Sequence, residues 1–138
     1  MSKSLKQVVV VRRDLRLRRA ALAALVAKAS SKFIFDNDTS EQLDKLAVEL
    51  TPYEAEWLQN DGTLVIVGVA SENALKSLVF KAEIKGVPCY TVEKRVADDV
   101  KSDSPELEFP ETVQMVAIAL GPDEIDKIDE ITGNLKLI

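Results

Sequence analysis

The chain has 138 residues, 46% of them hydrophobic and 30% charged, with five Gly and five Pro. Length and composition describe one globular domain over residues 1–138, large enough to bury a core, and exclude disordered and collagenous chains. The net charge of −5 is unevenly divided: residues 1–35 carry nine Lys/Arg against the single Asp14, and the remainder carries nine against 22 Asp/Glu. The amino-terminal +8 can hold a phosphate backbone locally, or its charges can simply solvate a surface.

Gln7–Val11 is β-branched and nearly continuous, which predicts a central strand covered on both faces. From about Leu17 to Phe33 the apolar positions Leu22, Leu25, Val26, Ala29 and Phe33 recur at helical steps, a stripe suited to the sheet. Ser40 is a candidate N-cap for a second helix through Leu50, with Leu43, Leu46, Ala47 and Leu50 as its apolar face. Thr51-Pro52 opens a short helix carrying Tyr53 and Trp57 four residues apart, and Asn60-Asp61-Gly62 reads as a turn.

Thr63–Val69 predicts a second interior strand. A helix capped by Ser71 and stopped by Gly86 follows, burying Leu75, Leu78, Val79 and Ala82. Val87–Val92 is the third strand, and the Pro-punctuated, acidic stretch from Glu93 to Glu111 reads as an exposed loop. Val113–Leu120 is the fourth strand. Gly121-Pro122 then breaks the chain, with Pro in the first turn of a helix to about Ile131 and an extended segment over Leu135–Ile138. Alternating strands and helices place helices on both faces of a mostly parallel sheet.

Several chemistries are absent. Cys89 is the sole cysteine and there is no histidine, so no disulfide, no metal and no cofactor is expected. No Gly-rich phosphate loop follows the first strand. No apolar run is long enough for a signal peptide or a membrane span, and a cytoplasmic protein with no membrane partner is expected. Asp14, between the first strand and its helix, is either a functional group or a structural one that caps the helix or salt-bridges Arg12 or Arg13. Arg12, Arg13, Arg16, Arg18 and Arg19 form the densest basic cluster, at a helix start where cations oppose the dipole. Tyr53, Trp57 and Leu135–Ile138 are candidates for the interface of a homodimer.

Val9-Val10-Val11-Arg12-Arg13-Asp14-Leu15 resembles the opening of the type-2 peptidyl-tRNA hydrolases, a hydrophobic strand running into Val-Arg-Asn-Asp-Leu. Leu120-Gly121-Pro122, Ile125, Ile128, Ile131-Thr132-Gly133 and Leu135-Lys136-Leu137 resemble that family's closing motif, and Ala82 through Gly86-Val87 the end of its central helix. The resemblance spans essentially the whole chain. It implies a four-stranded mixed sheet flanked by helices on both faces, with the fourth strand antiparallel. It also implies hydrolysis of the ester joining a peptide to tRNA without a metal, with tRNA or peptidyl-tRNA as partner and no DNA.

The residues that would carry this chemistry are replaced. By register from Asp14-Leu15 the family's lysine corresponds to Ala21, its helix Gln to Leu25 and its His to Lys28; its Asp-Ala-Gly-Arg-Thr segment corresponds to Lys94–Asp98, and a central-helix Lys to Glu83. Ala21, Leu25 and Lys28 share a helical face, and Ala and Leu can neither polarise a carbonyl nor orient water. The resemblance therefore implies a protein that has lost the usual hydrolytic site, with Asp14, Lys94 and Asp98 left for any residual role. Arg13, Arg16, Arg18, Arg19 and Lys28 remain for RNA. An enzyme using rearranged residues and a protein-interaction module are the alternatives.

Overall fold

A computed structural model describes residues 4–42, 44–60, 62–97 and 111–138. The elements in chain order are β1 (Leu5–Arg12), α1 (Arg19–Asp36), α2 (Pro52–Gln59), β2 (Leu64–Val69), α3 (Glu72–Lys85), β3 (Cys89–Ala97), β4 (Glu111–Glu124), α4 (Ile125–Thr132) and β5 (Lys136–Leu137). They form a five-stranded sheet in the order β3-β4-β1-β2-β5. β1 and β2 are parallel, while β4 is antiparallel to both β1 and β3. The antiparallel fourth strand is as expected, but the four-strand count is not. The carboxy-terminal segment closes a fifth strand by pairing Val67 with Leu137 and Gly68 with Lys136. Two residues are too few for alternation to mark them as a strand.

The valine run of β1 explains the layering, because successive side chains point to opposite faces. Val8 and Val10 pack with Leu75, Leu78 and Ala82 of α3 and Ile128 and Ile131 of α4. Val9 and Val11 pack with Val26 and Ala29 of α1 on the other face. Gln7 is wholly buried between them, yet its amide donates to the Ser30 carbonyl at 3.0 Å and accepts from the Ser30 hydroxyl, tying β1 to α1.

Local signals decide most element ends. Ser71 accepts from the Ala74 amide at 3.2 Å and Gly86 ends α3 with φ +69°. In α2, Thr51 and Glu54 form a reciprocal capping box. Trp57 is only 8% exposed, set edge-on to Phe33 at 6.1 Å with its indole N–H donating to the Thr63 carbonyl. The Tyr53 hydroxyl donates to Glu124 at 2.6 Å. Trp57 is therefore buried within the chain, Tyr53 is partly exposed, and Leu137 and Ile138 are exposed.

Three elements differ from expectation. The segment 40–50 is not a helix: the Asp38 carboxylate accepts from the amides of Ser40 and Ala47 at 2.9 and 3.0 Å, and Asp38 bridges Val48. Asp and Ser side chains here outcompete helical bonding; Leu46 is exposed, and Leu43 lies outside the described residues. β3 continues to Ala97 and β4 begins at Glu111, so Glu93–Ala97 is strand rather than loop. β4 also runs through Gly121 and Pro122 to Glu124, so α4 starts at Ile125 and Pro122 precedes its first turn. Among the described residues no helix is long and apolar enough to cross a membrane.

Candidate functional site

The β1–α1 connection and the β3–β4 hairpin frame one groove. Opposite Val92 and Glu93, β4 carries one extra residue: Val92 pairs with Ala117 and Glu93 with Met115. The bulge turns both Val116 and Ala117 into the α1 face of the core. It also presents the Met115 amide to Glu72 (2.7 Å) and its carbonyl to Arg12 (3.2 Å). Arg12 is thereby anchored beneath the connection, with Gln114 Oε1 at 2.8 Å and Asp14 bound by two bonds. The hydrogen bonds from Arg12 hold the Asp14 carboxyl below its usual range, and Asp14 raises the Arg12 guanidinium in turn.

Above this anchor α1 begins without capping. Arg18 is its N-cap and makes no side-chain cap bond, and no acidic residue lies in the first turn. Arg16 holds φ +50°, unusual for a residue with a side chain. Arg16, Arg18 and Arg19 are exposed. Uncapped amides and the positive end of the helix dipole thus coincide with three arginines.

The groove has a volume of about 500 Å³. Leu15, Leu17, Ala21, Ala24, Leu25, Val92, Val96 and Val116 give it an aliphatic lining, and Lys28, Lys94 and Arg95 are its charged members. Thus Ala21, Leu25, Lys28 and Lys94, four positions separated in sequence, do come together. Glu83 does not join them: α3 packs on the opposite face of the sheet. Asp98 lies outside the described residues. Asp14 takes the salt-bridge reading, with Arg12 as its partner. Arg13 reaches the other way, donating to the carbonyls of Lys136 (3.3 Å) and Leu137 (2.8 Å) and so holding β5.

Reading residues 93–111 as a loop hides how Lys94 and Val96 reach the groove; the signal is alternation, since Val92, Lys94 and Val96 share one face of a strand. Among the described residues that line the groove there is no carboxylate, hydroxyl or imidazole to take a proton from water. Cations beside an aliphatic floor suit an anion carrying an apolar body.

The family model described as Peptidyl-tRNA hydrolase PTH2 matches residues 5–138. A peptidyl-tRNA hydrolase of Methanocaldococcus jannaschii is 32% identical over 134 residues, covering 97% of this chain and 100% of that protein. Those of Haloquadratum walsbyi and Metallosphaera sedula are 33% and 31% identical, covering 96% and 97% of this chain and 99% and 100% of their own. With an α/β mixed sheet and a match along nearly its whole length, the chain belongs to the peptidyl-tRNA hydrolase PTH2 family.

Proposed function

We propose that this chain binds tRNA bearing an esterified residue and leaves the ester intact, acting as a cytoplasmic single-domain protein over residues 1–138. The observation that carries this reading is the groove itself: aliphatic at Ala21 and Leu25, cationic at Lys28, Lys94 and Arg95, and without a described proton acceptor. Ester hydrolysis needs a base or a positioned water as well as charge stabilisation, and cations alone supply only the second. Arg16, Arg18 and Arg19 extend the positive surface toward a phosphate backbone. Arg13 contributes less to such contact, because β5 carbonyls already occupy its guanidinium.

A filter-binding titration with N-acylated aminoacyl-tRNA, run at low and physiological salt, tests binding. Release of the labelled acyl group, measured in the same mixtures, tests cleavage. Binding that weakens with salt while the ester survives at the no-protein rate is expected. Release above that rate restores hydrolysis, the activity in the names of the full-length relatives. No complex at low salt makes the family fold a protein-binding module here.

A further inference from the structure

β3 lies at one edge of the sheet, and among the described strands it pairs only with β4. Along an antiparallel pair, residues alternate between bonding the partner strand and turning their N–H and C=O away from it. Two observations fix the phase. Before the strand, the Pro88 carbonyl accepts from the Gly121 amide at 2.8 Å, in the register that pairs Cys89 with Leu120. At the bulge, Met115 gives its amide to Glu72 and its carbonyl to Arg12, at the end of the strand on the far side of β4. Glu93, opposite Met115, is therefore a non-bonded position. Both observations make Tyr90, Val92, Lys94 and Val96 the residues that bond β4. Thr91, Glu93 and Arg95 point their backbone groups outward, and no other described backbone group bonds them.

This open edge runs beside the groove. A second pocket of about 320 Å³ lies between Lys28, Lys32 and Asp36 of α1 and Thr91, Val92 and Glu93 of β3. Lys28 and Val92 border both cavities, so the two follow one another along β3. They lead from the arginine-rich start of α1 to its Asp36 end. The second pocket balances two lysines with two carboxylates, and Lys32 is already paired with Asp36 at 3.0 Å. That balance disfavours a phosphate backbone and suits a neutral, dipolar one.

We propose that an extended peptide adds to β3 as a further strand, parallel to it, through main-chain hydrogen bonds to Thr91, Glu93 and Arg95. On the reading that the groove takes the esterified residue, this peptide is the chain which that residue carries. Its ester end lies beside Lys94 and Val96, and its preceding residues run back toward Asp36. A peptide residue opposite Val92 donates to the Thr91 carbonyl and accepts from the Glu93 amide. One opposite Lys94 donates to the Glu93 carbonyl and accepts from the Arg95 amide. At about 3.3 Å per residue, the edge from Thr91 to Arg95 spans about 13 Å and takes roughly four peptide residues. Main-chain bonding reads no side chains, so one edge serves peptides of many sequences.

The probe is acetyl-Ala-Ala-Ala-Leu amide, titrated to millimolar concentration into the isotope-labelled full chain and followed by NMR. The Glu93 and Arg95 amides are expected to shift and to exchange more slowly with solvent. Those of Tyr90, Val92 and Lys94, already bonded to β4, keep their exchange rates. N-methylation of the probe at alternate residues weakens binding about fivefold for each lost bond, and at the residues between them changes nothing. In a parallel arm, acetyl-Ala-Ala-Ala-Leu-tRNA binds more tightly than acetyl-Leu-tRNA. Unchanged Glu93 and Arg95 amides at millimolar probe overturn the added strand, as do N-methyl groups tolerated equally at every residue. Alternating peptide binding with no complex of either tRNA sinks the reading of the groove and leaves the strand site standing. Equal binding of the two tRNAs, with no peptide shift, does the reverse.

Discussion

Arg12 and Asp14 meet through two hydrogen bonds, Nε to Oδ1 at 3.0 Å and Nη2 to Oδ2 at 2.6 Å, at the point where the central strand turns toward α1. The arginine is 8% exposed in its side chain and the carboxylate 37%. Since Gln114 and the Met115 carbonyl hold the same guanidinium, the pair fixes the basic start of α1 relative to the β3–β4 hairpin.

Asp14→Asn is expected to lower stability at neutral pH by about 1 kcal/mol, at the modest end because solvent screens the half-exposed carboxylate. The hydrogen bonds from Arg12 lower the Asp14 pKa in the folded chain. Its contribution is therefore present above the ordinary carboxylate pKa, about 3.9, and is lost as pH falls through the depressed folded value. Urea titrations of both proteins from neutral to acidic pH check this: the gap between them should close only at the acid end.

Reversing the rim should weaken RNA binding without changing its selectivity. The double variant Arg18→Glu/Arg19→Glu is expected to reduce the slope of log affinity against log salt by roughly 0.7–0.9 for each phosphate that is no longer neutralised. Unrelated tRNAs should lose affinity about equally, since phosphates carry no sequence. Leu25→Asn, inside the groove, should instead weaken N-acylated aminoacyl-tRNA more than deacylated tRNA. Filter binding across a salt series separates the two.

Gly68 sits where Arg13 crosses β2 to reach the terminal carbonyls. A Cβ at position 68 would overlap the Arg13 side chain and lie 2.9 Å from Ile138 Cδ1. Gly68→Ala should therefore displace Arg13, free β5 and destabilise the chain by about 1–2 kcal/mol. Amide exchange at Ile138, whose N–H donates to the Ile66 carbonyl at 3.1 Å, should accelerate more than exchange within β1.

Cys89 is half-buried at the start of β3, and burial pushes its thiol up to about 12. Thiolate is therefore scarce in the folded chain at neutral and mildly alkaline pH. Iodoacetamide should label the native chain very slowly at pH 8 and the urea-unfolded chain at an ordinary thiol rate. Mass spectrometry of the two time courses checks it.

Much of this protein follows from short-range terms. The valine run of β1, the Ser71 and Gly86 ends of α3 and the Pro52 start of α2 depend on propensity and capping within a few residues. The helical register that gathers Ala21, Leu25 and Lys28 on one face is equally local. The opening and closing motifs carried the family resemblance for the same reason. What tertiary structure decided is where each side chain found its partner. Five arginines in one stretch look alike in sequence, yet Arg12 is buried on Asp14, Arg13 is committed to β5, and Arg16, Arg18 and Arg19 are left to solvent. The 40–50 stripe has helical period, but the Asp38 carboxylate takes the Ser40 and Ala47 amides and shapes the segment instead. Lys94 and Arg95 reach the groove because a long hairpin pairs Ala97 with Glu111. Periodicity records which residues share a face; only the packed chain determines what that face meets.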